Sequence, residues 1–201
     1  MSAVVPDPAA TPPQTARVVN IANGLTLLRL LLVPVFGYAL VQEDGQDTAW
    51  RVAACVIFAV ASITDRLDGD LARRRGLVTE VGKLADPIAD KALTGTALVG
   101  LSALDLLPWW VTVVILVREV GVTLLRFWVI RHGVIPASRG GKLKTLLQSV
   151  AIGLYLLPLE DALATAAAVA MGVALVVTVV TGVDYVARAL ALHRAGAGTD
   201  R

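Results

Sequence analysis

Residues 52–90 read VAACVIFAVASITDRLDGDLARRRGLVTEVGKLADPIAD. An apolar run from Val52 to Ile63, suited to hydrocarbon, passes directly into a stretch dense in aspartate and arginine. Apolar sequence resumes around Ile88, and Asp90 and Lys91 follow at once. Placing ionised groups against membrane-type helices costs about 2.5–3.5 kcal/mol each at mid-bilayer on insertion scales, so such groups need compensation and mark function by default.

The rest of the chain agrees with a bilayer setting. Of 201 residues, 56% are hydrophobic and 5% aromatic, and mean hydropathy is +0.72. A water-soluble domain of this size does not normally have that composition. The formal net charge is +2, and the charges form short clusters between apolar runs, which argues against nucleic acid as a partner and for a phosphate or lipid headgroup. Cys55 is the single cysteine, so no intramolecular disulfide forms. The Pro- and Ala-rich opening lacks the pattern of a signal peptide, and residues 1–18 are expected to be a disordered cytoplasmic tail.

A helix needs about 20 apolar residues to cross the hydrocarbon core. Six segments qualify: about Ile21 to Val41, Trp50 to Ile63, Ile88 to Leu107, Pro108 to Ile130, Leu143 to Leu159 and Ala162 to Val183. The expected fold is therefore all-α, a polytopic integral membrane protein with six transmembrane helices over residues 19–192 and a second cytoplasmic tail at 193–201. With both termini in the cytoplasm, Glu43, Asp44, Asp47, Asp105, Glu160 and Asp161 face out. Arg66, Arg73, Arg74, Arg75, Lys83, Arg131, Arg139, Lys142, Lys144, Arg188, Arg194 and Arg201 face in. Only Arg51 breaks the positive-inside rule.

Asp65, Asp68, Asp86, Asp90, Lys91, Arg118, Glu119 and Arg126 lie within or at the edge of the spans. Neighbours such as Arg118 and Glu119 are expected to point in different directions on a helix and not to neutralise each other. Asp65 and Asp68 are three apart, and Asp86 and Asp90 four apart, so each pair projects from one helical face. Four such carboxylates together call for a hard divalent cation such as Mg²⁺ or Mn²⁺. Neither His132 nor His193 is near them in sequence, which disfavours zinc. Arg73 offers a planar donor fork to a phosphate.

Asp65, Asp68, Gly69, Ala72, Arg73, Gly82, Asp86 and Asp90 together spell D-x-x-D-G-x-x-A-R-x8-G-x-x-x-D-x-x-x-D. This resembles the signature of the CDP-alcohol phosphatidyltransferase family. The resemblance implies six transmembrane helices in the inner membrane, a cytoplasm-facing cavity, a homodimer and two divalent ions. It also implies that Asp65, Asp68, Asp86 and Asp90 hold the metal, that Asp90 is the general base, and that Asp68, Gly69, Arg73, Thr79, Asn23 and Thr26 line the CDP site.

Three further segments, Asn23 to Arg29, Arg118 to Arg126 and Gly141 to Gln148, are similar to those of family members that act on sn-glycerol 3-phosphate. The implied reaction moves the phosphatidyl group of CDP-diacylglycerol onto that acceptor, with Arg118, Arg126, Lys142 and Lys144 receiving its phosphate. Inositol phosphate, phosphatidylglycerol and serine remain alternative acceptors. An ion-coupled transporter is the alternative of another class, although no inverted repeat is evident.

Overall fold

The computed structural model describes the backbone of residues 21–75, 80–129 and 139–197, and the side chains of 24–64, 88–125 and 140–191. The expected tail at 1–18, residues 198–201 of the expected tail at 193–201, and Thr79 lie outside the described residues, while residues 193–197 continue the last helix. Six α-helices and one 3₁₀ turn are present among the described residues, with no strand. They are α1 (Ile21–Val41), the 3₁₀ turn Gln42–Gly45, α2 (Thr48–Arg75), α3 (Glu80–Ala103), α4 (Trp109–Val129), α5 (Arg139–Leu156) and α6 (Asp161–Ala197).

Helix ends follow local chemistry. Asp47 caps α2 by accepting the Trp50 amide at 2.8 Å, which satisfies one of the donors a helix start leaves open. At the far end of α5, Arg51 donates to the carbonyls of Tyr155, Leu156 and Leu157 at 2.8, 3.2 and 2.9 Å. A guanidinium on the last carbonyls complements both their lone pairs and the helix dipole. Arg51, the exception to the charge pattern expected of the loops, serves as a cap across two helices.

α1 packs on α2 and α3, α5 on α6, and α4 on α6. The core is built from Phe36 and Leu40 of α1, Phe58 of α2, Leu98 of α3, Ile115 of α4 and Ile152 of α5. Small residues let the helices close up. A Cβ on Gly182 would meet Arg118 Cγ at 2.9 Å, so glycine at this position of α6 admits the arginine stem from α4. The outer surface is also apolar. Leu31, Val35, Val56, Val60, Val117, Val120, Val176 and Val180 are exposed at helical spacing, a surface suited to lipid tails and far too apolar for a monomer in water.

By length and composition, Gly24–Gly45 and Asp161–Ala191 are long and apolar enough to cross a membrane, and Thr48–Thr64 is a shorter apolar stretch. α3, α4 and α5 carry charges in their interiors: Asp90 and Lys91, Arg118 and Glu119, and Lys144. Those charges lower their apolar character while the helices keep their length, about 36, 31 and 27 Å at 1.5 Å per residue.

Candidate active site

Short connections follow α1, α3 and α5, so successive helices reverse direction. One end of the bundle therefore collects the start of α1, the end of α2, the starts of α3 and α5, and the end of α4. Apart from Thr79, which lies outside the described residues, and Arg118, at the middle of α4, the residues expected at the site belong to that half of their helices. Asp65 and Asp68 lie in α2, and Asp86 and Asp90 in α3. α2 and α3 pack against each other. The side chains of Asn23, Asp65, Asp68, Gly69, Arg73, Asp86 and Arg126 lie outside those described.

Where side chains are described, an ion cluster joins three helices. Glu119 of α4 is its hub. Lys91 of α3 approaches Glu119 Oε2 at 3.5 Å, Arg118 Nη1 lies 3.3 Å from Oε1, and Lys144 of α5 donates to the same Oε1. The expectation that Arg118 and Glu119 would not meet is overturned. The arginine stem is long enough to curl around the helix, and it is fixed from the other side by α6, where Nε donates to the Thr178 carbonyl and Nη2 to Thr181 Oγ1, both at 3.1 Å.

Asp90 is half-buried and within electrostatic reach of Lys91, Glu119, Lys144 and Arg29. Arg29 and Thr26 are both buried on α1. Asp90, Lys91 and Glu119 line one cavity of about 100 Å³ together with Thr145, Gln148 and Ser149 of α5. Lys144 is buried, whereas Lys142, two residues away and so on another face of α5, is exposed. Of the four cations expected at an acceptor phosphate, Arg118 and Lys144 come together, and Lys142 does not join them.

Sequence reasoning gave Glu119 and Lys91 no role beyond being intramembrane charges, and it did not single out Gln148 as a site residue. The signal available for Glu119 was its setting: a lone carboxylate deep in a span, with cations on neighbouring helices at similar depth. The donor set for a metal suits a hard cation, since the two aspartate pairs offer only oxygen ligands from adjoining helices. Among the described residues no group of three His, Cys, Asp or Glu side chains forms a metal site, and Asp90 is the one member of the expected set whose side chain is described.

The family model for CDP-alcohol phosphatidyltransferases matches residues 19–180. The chain belongs to the CDP-alcohol phosphatidyltransferase family. It is thereby a membrane transferase of phospholipid biosynthesis, and the ion-coupled transporter reading falls away. Over 175 residues it is 63% identical to a probable phosphatidylglycerophosphate synthase of Mycobacterium tuberculosis, covering 87% of this chain and 84% of the relative. A CDP-diacylglycerol–glycerol-3-phosphate 3-phosphatidyltransferase of Bacillus subtilis is 38% identical over 179 residues, 83% of this chain and 93% of the relative. A CMP-forming cardiolipin synthase of Streptomyces coelicolor is 36% identical over 126 residues, 61% of this chain and 57% of the relative. The match to the glycerol-3-phosphate enzyme thus covers more of both chains than the match to the cardiolipin synthase.

Proposed function

We propose that this phosphatidyltransferase moves the phosphatidyl group of CDP-diacylglycerol onto sn-glycerol 3-phosphate, releasing CMP. The observation that carries this reading is the charge at the cavity. Lys91 lines it with Asp90 and Glu119, Arg118 and Lys144 meet Glu119 beside it, and Arg29 is within reach of Asp90, so among the described residues the cations there are in excess of the carboxylates. A phosphorylated acceptor balances that excess, and a neutral polyol or a serine does not. The names of the relatives point the same way.

In the reaction, the terminal hydroxyl oxygen of the acceptor forms a bond to the phosphorus that carries the lipid, and the bond from that phosphorus to the CMP oxygen breaks. Asp90 takes the hydroxyl proton. Lys144 and Arg118, held by Glu119, orient the acceptor phosphate, and Arg73 with Asn23 and Thr26 receives the CDP moiety. Asp65, Asp68, Asp86 and Asp90 would hold Mg²⁺ or Mn²⁺, and the bound ions would neutralise charge on the diphosphate as CMP leaves. The six helices cross the inner membrane with both termini and the charged end in the cytoplasm. That reading is supported by the sign of the loop charges and the apolar outer ridges. Purified protein supplied with CDP-diacylglycerol, Mg²⁺ and labelled glycerol 3-phosphate should form CMP and labelled phosphatidylglycerophosphate in equal amounts. CMP without labelled lipid would refute the transfer.

A further inference from the structure

Gln148 sits on the cavity wall, is only 4% exposed, and its Oε1 has no hydrogen-bond partner among the described residues. A buried carbonyl oxygen left without a donor is unfavourable, and native interiors rarely leave one so. The two hydroxyls beside it on α5 are already committed to the backbone. Thr145 Oγ1 donates to the Gly141 carbonyl at 3.1 Å, and Ser149 Oγ donates to the Thr145 carbonyl at 2.9 Å. Gln148 borders the cavity, so a molecule bound there can supply the missing donor.

Position supplies the rest. Gln148 follows Lys144 by four residues and shares its face of α5, while Asp90 lines the same cavity from α3. On the acceptor reading above, a molecule with its phosphate toward Lys144, beside the cavity, and its reacting hydroxyl toward Asp90 would hold its intervening part in the cavity that Gln148 lines. In glycerol 3-phosphate that is the middle hydroxyl.

We infer that Gln148 is a specificity-determining residue whose Oε1 accepts a hydrogen bond from the acceptor hydroxyl adjacent to the reacting one. The inference rests on the acceptor reading above. It predicts discrimination against an acceptor that keeps the phosphate and the terminal hydroxyl but lacks the middle one, because such a ligand leaves the carbonyl unpartnered.

The experiment compares kcat/KM for glycerol 3-phosphate and for 3-hydroxypropyl phosphate in the wild-type protein, Gln148→Met and Gln148→Glu. The wild type should prefer glycerol 3-phosphate by about ten- to a hundredfold, the range for one buried unmade hydrogen bond. In Gln148→Met the preference should collapse toward unity. In Gln148→Glu it should persist, since a carboxylate also accepts the bond. Because each variant is read as a ratio, a general loss of folded or active enzyme cancels. A wild-type ratio near one, or an unchanged ratio in Gln148→Met, would overturn the inference. Wild-type enzyme that turns over neither phosphate but accepts another alcohol would instead remove the acceptor reading, a separate result.

Discussion

Asp90, the signature aspartate whose side chain is described, lines the cavity next to Lys91 and Glu119, where a proton acceptor for an incoming hydroxyl is needed. Replacing it with asparagine keeps the shape and removes the basic oxygen. At saturating Mg²⁺ and both substrates, Asp90→Asn should keep much of its affinity for CDP-diacylglycerol while turnover falls by about a hundredfold or more, the usual size of a lost general-base contribution. Near-normal turnover would take the proton away from Asp90. That Asp65 and Asp68 fall on one helix, and Asp86 and Asp90 on another, was legible in the sequence from their spacing. The Glu119 hub was not, since it depends on which faces of α3, α4 and α5 meet. A rule about neighbouring residues also failed for Arg118, whose long side chain reaches Glu119 despite the angle between their Cβ directions.

At the level of elements, α1 runs from Ile21 to Val41 as the apolar pattern expects. The pattern underestimates other helices: α2 continues to Arg75, α3 begins at Glu80, and α6 extends to Ala197. Hydropathy reports where lipid is, whereas backbone hydrogen bonding carries a helix on through polar residues. That continuation puts Asp65 and Asp68 on a helix. Arg51 was visible in sequence only as an exception to the charge rule, because its partners are carbonyls about a hundred residues away. Arg51→Met should keep the apolar stem, leave three carbonyls at the end of α5 and just beyond it without that donor, and lower stability by about 1.5–3 kcal/mol or more. Thermal unfolding in detergent, read against wild type, checks this. An unchanged midpoint would mean that water caps α5 equally well.

For the whole molecule, orientation and chemistry are linked, since the charged end of the bundle must open to the compartment that holds the water-soluble acceptor. Lys142 lies near the start of α5 and is exposed. In a Cys55→Ser background, Lys142→Cys should therefore react with a membrane-impermeant thiol reagent only after the cytoplasmic face is opened. Labelling in intact cells would invert the topology. The central claim is the identity of the acceptor, and it is tested most directly by release of labelled CMP from CDP-diacylglycerol with one acceptor at a time. The charge balance at the cavity predicts turnover much faster with sn-glycerol 3-phosphate than with glycerol or serine, and the likeness to glycerol-3-phosphate enzymes over most of the chain predicts the same against inositol phosphate and phosphatidylglycerol. Equal or faster CMP release with any of these four would contradict it.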